Sequence, residues 1–247
     1  MGKGFLRSLG LVAALWAGVA SAEAVTTVKV GDAELQVPVE DGYLAASVSA
    51  PTLYSMSQAG LPVTHRLVEG FMSRADLKRV LIGQRPEQVF YQVQVMRDAE
   101  QVELSEQEWQ QARPQIAQSM GAVDMQALAD SMQRGASERM SETAGLDVEV
   151  SFGKVGAPTL YGDDPNSLRF VMLLPINGQV AGQQHAVTLE CAGAVARVGG
   201  KLLFLFAYRD HTGGADAATV RTALDRFVDR TVALNSTVAG QAEGVAK

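Results

Sequence analysis

Between Asp147 and Arg209 four strand-length runs follow one another with little but turn residues between them, and this stretch limits the possible folds more than any other. Asp147 to Val155, Leu168 to Ile176, His185 to Val198 and Lys201 to Arg209 are separated by turn chemistry at Asp163-Asp164-Pro165-Asn166, Asn177-Gly178 and Gly199-Gly200. Short turns join antiparallel neighbours, because a parallel pair needs a long crossover, so these runs are expected to build an antiparallel sheet. Leu202-Leu203-Phe204-Leu205-Phe206 is apolar at every position, which predicts a central strand covered on both faces.

The rest of the chain supplies elements to pack on that sheet. Thr26 to Val30 and Glu34 to Val39 flank Gly31-Asp32-Ala33 as a hairpin, Thr64 to Met72 is strand-like, and Val89 to Met96 alternates an apolar face (Val89, Tyr91, Val93, Val95) with a mixed one. Ser73 is placed to cap a short helix over Leu77, Val80 and Leu81 that stops before Gly83. Ser105 and Glu108 have capping-box spacing and open a helix that Pro114 is expected to kink or divide. A second helix is expected from Asp124, with Met125, Leu128, Ala129, Met132 and Ala136 on one stripe. The last helix carries Val220, Leu224, Phe227, Val228, Thr231 and Val232 on one side, with Asp216 as its cap and Asn235 as its end.

At the N-terminus, Lys3 and Arg7, the apolar run Leu9 to Val19 and the small-residue end Ala20-Ser21-Ala22 read as a secretory leader. The expected organisation is a signal peptide over residues 1–22, a single α+β domain over 23–235 and a flexible tail over 236–247. The expected location is periplasmic or secreted, with no stable membrane span after cleavage, since the later apolar runs have only strand length. The net charge of −6 becomes −8 once Lys3 and Arg7 leave, and an acidic exported chain is a poor ligand for nucleic acid, where Lys and Arg neutralise phosphates. The single Cys191 has no internal disulfide partner and alternates with Val187 and Leu189, as a core residue does.

The pentapeptide Ala50-Pro51-Thr52-Leu53-Tyr54 recurs as Ala157-Pro158-Thr159-Leu160-Tyr161, and Met96-Arg97-Asp98 is echoed by Tyr208-Arg209-Asp210. Two related halves are one reading of these echoes; chance with similar turn chemistry is the other. The opening hairpin ending at Val37-Pro38, the strands around Leu189 and Phe204 and the final Val220 to Val232 helix together resemble the PsbP-like family, including its exported bacterial relatives. The resemblance implies an α/β/α sandwich around an antiparallel sheet, here with extra central helices, and an accessory or interaction role rather than an enzymatic one.

The chemistry-bearing residues give no local catalytic motif. His65, His185 and His211 show no metal-ligand spacing, and the nucleophile elbow, dinucleotide and phosphate-loop patterns do not occur. Arg209, Asp210 and His211, at a strand end before Thr212-Gly213-Gly214, are the weak catalytic candidates. Asp163, Asp164 and Asn166 read as a polar turn in preference to a Ca²⁺ loop, and Met120, Met125, Met132 and Met140 as helix packing in preference to a copper site. Arg74, Lys78, Arg79 and Arg85 either meet an anionic surface or complement a helix C-terminus, the second being preferred. No cofactor or metal is expected. The resulting expectation is a non-enzymatic protein that binds a protein partner or envelope component through a face or pocket of its sheet. The alternative is a small-molecule binder or hydrolase with a site assembled near His211.

Overall fold

The computed structural model describes residues 24–122, 124–133, 135–211 and 218–242, so the expected leader, the Gly213-Gly214 pair and the Asp216 cap lie outside the described residues. In chain order the elements are β1 (Val25–Val30), β2 (Ala33–Pro38), β3 (Tyr43–Ala45), α1 (Ala46–Ser49), α2 (Pro51–Gly60), β4 (His65–Ser73), α3 (Arg74–Leu81) and β5 (Phe90–Met96). There follow α4 (Glu106–Ala122), α5 (Met125–Gln133), α6 (Ala136–Ala144), β6 (Val148–Phe152), β7 (Thr159–Asp164), β8 (Ser167–Val180), β9 (Gln183–Val198), β10 (Lys201–Asp210) and α7 (Ala218–Ala242). The chain is α+β, with one main antiparallel sheet in the order β3-β4-β5-β10-β9-β8-β6. β7 shares the outer edge of β8 with β6, and β1 and β2 pair as a separate hairpin.

The two faces of the sheet are packed differently. On one, Leu203, Leu205 and Ala207 of β10, Val93 and Val95 of β5 and Ala192, Ala194 and Ala196 of β9 are buried beneath Val220, Leu224, Phe227 and Val228 of α7 and beneath the β1–β2 hairpin. The three alanines let the helix approach the strand closely, and the expected apolar stripe of α7 is the stripe that is buried. Asn235 locks the helix to the hairpin: its side chain accepts from Gln36 N (2.9 Å) and donates to Gln36 O (2.8 Å), as a neighbouring strand would. With its side chain engaged sideways, Asn235 lies inside a helix that continues to Ala242 and does not end it.

On the other face lie α1, α2, α3, α5 and α6, and they also close the sheet edges. Gln58 of α2 accepts from Leu67 N (2.6 Å) and Tyr54 donates to Leu67 O (2.7 Å), satisfying the part of β4 that β3 does not reach. At the opposite edge Ser141 and Ser137 of α6 accept from Val148 N and Val150 N of β6. Because α2 and α6 pack on each other, they bridge the sheet from edge to edge. Phe204, Phe206 and Tyr208 are partly buried on this face, so β10 is the central strand expected, covered on both faces and more completely on the α7 side.

Several boundaries differ from the sequence reading. The Asn177-Gly178 turn is not one; β8 runs through it because β6 pairs with that segment on one side and β9 on the other, and the chain turns at Ala181-Gly182 instead, both with positive φ. The Gly199-Gly200 turn stands where expected, with φ of 54° and 80°. The helix expected from Asp124 through Ala136 is two helices, divided at Gly135 with φ 75°, although Asp124 does cap the first. Pro114 does not divide α4, whose preceding turns are held by the capping box of Ser105 and Glu108 and by the buried Trp109, donating to Pro165 O (2.7 Å). The pentapeptide echo is not a structural repeat: Pro51 to Tyr54 are helical in α2, whereas Thr159 to Tyr161 belong to β7, a strand the sequence reading missed.

Candidate binding site

Pleating of β5, β9 and β10 sends Phe90, Gln92 and Gln94, then Val187, Leu189 and Cys191, then Phe204, Phe206 and Tyr208 to the face opposite α7, in the register Phe90–Tyr208–Cys191 and Gln92–Phe206–Gly193. Tyr208 stacks between Phe90 (5.2 Å) and Phe206 (5.7 Å), and Phe206 meets Phe170 edge-on at 6.3 Å. Glycine at two points shapes this row. A side chain at Gly193 would strike the Phe170 ring, which fills that space, and Gly70, opposite Gln92, keeps the β4 end of the row low. Burial raises the Tyr208 pKa well above the usual phenol range, a nearby Cys191 adds to this, and a hydrogen bond with Gln94 opposes it. Burial alone pushes the Cys191 thiol up, as expected of a core cysteine, so it is a poor nucleophile at neutral pH.

Beyond the aromatic row, α1, α2 and α3 stand away from the sheet and leave a cavity of about 360 Å³. Its walls are mainly apolar, with Leu53, Met72, Val80, Phe90, Val187 and Leu189, and Ser57, Gln92 and Arg85 supply polar groups. A second, more polar cavity of about 770 Å³ lies towards the β8–β9 turn, with Ser137, Glu149, Ser151, Asn177 and Gln184 in its lining. The two share His185 and Ala186.

The segment from Gly83 to Pro86 forms one rim of the apolar cavity, and it is tied down at several points. The buried Asp76 accepts from Glu87 N and Gln88 N (2.9 Å each) while Ser73 Oγ caps Asp76 N, the helix start expected from the sequence. Arg79 donates to Arg85 O (3.0 Å) and pairs with Glu87 (2.8 Å). Arg85 crosses the sheet end to Asp210 (3.2 Å) and to Ala186 O (2.5 Å).

The three sequence candidates do not converge. Alternation along β10 puts Arg209 and Asp210 on opposite faces; Asp210 turns to Arg85 beside the apolar cavity. His211 follows the strand end, donates its backbone N–H to Thr188 O (2.7 Å) and places Nδ1 2.8 Å from Glu190 Oε1, on the α7 side. Glu190 is buried, and its Oε2 has no hydrogen-bond partner among the described residues. The sequence reading passed over Glu190 and Gln92 and named Arg85 only within a cationic cluster, without its partner Asp210. The mixed face of Val89 to Met96 was the available signal for Gln92, whereas Glu190 and Arg85 meet their partners only through tertiary packing.

Other clusters are structural. Arg169, only 11 % exposed at its side chain, pairs with Asp164 (2.7 Å), Asp225 (2.8 Å) and Asp229. Burial opposes its charge, but hydrogen bonds to Asp225 and Asp229 outweigh that and hold its pKa above the ordinary arginine value. Asp164 also accepts from Asn166 N, Ser167 N and Ser167 Oγ, closing the β7–β8 turn. Its oxygens are therefore engaged in the polar turn read from the sequence. Among the described residues, no group of three or more His, Cys, Asp or Glu is placed to hold a metal ion, and no helix is long and apolar enough to cross a membrane. No family model, curated protein or solved structure matches the chain.

Proposed function

We propose that this chain is an exported, non-catalytic binding protein that holds the apolar part of a small envelope component in the cavity between α2, α3 and the open sheet face. The observation that carries the reading is the cavity itself: about 360 Å³ of mainly apolar wall with Gln92, Ser57 and Arg85 at its margins. Ligand sites commonly have this character, an apolar body with a few polar groups that orient the occupant. The leader-like N-terminus supports export, to the periplasm or beyond, and the PsbP-like resemblance supports an accessory role. A protein that presents one apolar side chain to the cavity is the competing occupant.

Binding of the neutral apolar dye N-phenyl-1-naphthylamine to the chain without its first 22 residues tests the reading. Saturable fluorescence enhancement is expected, and Val187→Trp, which fills the cavity from the half-buried end of β9, should weaken it. Thermal unfolding of the variant checks that the fold persists. Absence of saturable binding, or equal binding by a folded Val187→Trp, overturns the reading. The Glu190–His211 contact favours a second reading, a hydrolase with His211 as base oriented by a buried carboxylate. Ester hydrolysis abolished by His211→Ala would support it.

A further inference from the structure

Helix α3 ends in an unusual way for a helix packed on a core. Its buried side carries Asp76 and Leu77, and Val80 reaches the cavity wall, but Leu81 and Ile82 at its C-terminal tip are 68 % and 71 % exposed. Two adjacent aliphatic side chains thus stand in solvent just before Gly83, whose φ of 76° turns the chain into the cavity rim. On the same side of the helix Lys78 stands one turn and Arg74 two turns before them, both exposed, and beyond Gly83 the Arg85 side chain is 61 % exposed but held by Asp210 and Ala186 O. Of the acidic groups nearby, Asp76 holds backbone amides, Glu87 pairs with Arg79 and Asp210 with Arg85, while Asp41 is exposed beside Arg74, whose N–H donates to Gly42 O. Arg74, Lys78, Leu81 and Ile82 lie at helical spacing along one side of α3, so an apolar apex backed by two cations stands on a chain whose net charge is −6.

We infer that this tip docks on a bilayer surface rich in anionic phospholipid, with Leu81 and Ile82 entering the interfacial region and Arg74 and Lys78 meeting the headgroups. Aliphatic side chains gain free energy by leaving water at the acyl boundary, and long cationic side chains keep their heads among phosphates while their stems lie along the apolar layer. Charge complementarity selects the anionic surface, and apposition of the tip to the rim of Gly83 to Pro86 brings the cavity mouth to the lipid. The inference goes beyond the binding reading and does not require it: the tip adheres whether or not the cavity is filled.

Co-sedimentation of the chain lacking its first 22 residues with vesicles of mixed phosphatidylglycerol and phosphatidylcholine, against phosphatidylcholine alone, tests it. Binding is expected to the anionic vesicles only, and to fall as salt is raised from 0.15 M to 1 M, which shortens the Debye length from about 8 Å to about 3 Å. The double variant L81S/I82S should lower the partition coefficient by about tenfold, because each buried methylene contributes to insertion. K78E should weaken binding as well, and both variants should keep their thermal unfolding profiles, since the altered side chains are exposed. Equal binding to neutral vesicles, no binding to anionic ones, or full binding by L81S/I82S overturns the inference. Dye binding without vesicles is unchanged in L81S/I82S under both proposals, so each can fail alone.

Discussion

Gly193 is the position where a single added methyl group gives the sharpest test of the packing. A Cβ there would lie 2.4 Å from Phe170 Cζ and 2.8 and 2.9 Å from the two Cε atoms, against an optimal carbon separation of about 3.5–4.0 Å. Phe170 is only 5 % exposed, is paired in register with Gly193 and leans on Phe206, so its ring cannot yield by about 1 Å without disturbing the row. Overpacking of this kind costs about 1–3 kcal/mol, and replacing glycine within a strand returns about 0.5–1 kcal/mol of backbone entropy. Gly193→Ala should therefore destabilise the fold by about 1–2 kcal/mol, lowering Tm by roughly 2–8 °C for a chain of this length. In a Phe170→Leu background, where the ring is gone, the same substitution should become neutral or stabilising by up to about 1 kcal/mol. Urea unfolding of the four proteins in this cycle measures the coupling from midpoints at constant m. Equal destabilisation in both backgrounds, or a more stable Gly193→Ala single variant, would refute the packing argument.

Arg169→Met should cost about 2–3 kcal/mol at neutral pH, less than breaking a fully buried pair because Asp164, Asp225 and Asp229 are each more than a third exposed. Against burial, Arg169 adds to the hydrogen bonds from Ser167 and Asn166 that hold the Asp164 carboxyl below its usual range, so that stabilisation is lost as Asp164 protonates and the deficit should shrink as pH falls below about 4; urea midpoints showing a deficit that widens in acid would contradict this. Asn235→Asp keeps the acceptor for Gln36 N but turns a carboxylate towards Gln36 O and Thr231 O, and should cost about 2 kcal/mol or more by urea unfolding. Burial lowers the His65 pKa below 6.5, with Asp98 opposing. The unfolded chain then binds more protons just below that value, so stability should fall as pH drops from 7 through about 6.5 and level off below the folded pKa. His65→Gln should flatten that part of a Tm–pH profile, and an unchanged slope would count against the burial.

Some of these features were readable before the fold was known. The Ser73 cap, the Ser105–Glu108 box and the Gly199-Gly200 turn rest on interactions within a few residues of one another, which local chemistry dictates, and the stripe of α7 that is buried follows from the periodicity of its own residues. The failures share a cause in the opposite direction. Asn177-Gly178 has the composition of a turn, yet strands on both sides of β8 supply ladder partners that hold it extended. The same five letters become helix from Pro51 to Tyr54 and strand β7 from Thr159 to Tyr161, where pairing with β8 outweighs local preference. Glycine at 135 looks innocuous within an apolar stripe until its positive φ divides the helix.

Alternating apolar runs with tight turns force antiparallel pairing, and an amphipathic helix must bury its stripe on that sheet, so the class of fold was legible in the chain. So were the acidic charge and the cationic stretch from Arg74 to Arg85. Which groups meet is set by tertiary packing. It separated Asp210 from His211 by the pleat of one strand, gave each a partner far away in the chain, Arg85 and Glu190, and set the helices far enough from the sheet to leave a cavity over Phe90. Caps and hairpin turns are governed by neighbours in sequence, whereas distant strand pairs, a cavity and its rim are defined by surfaces brought together from far along the chain.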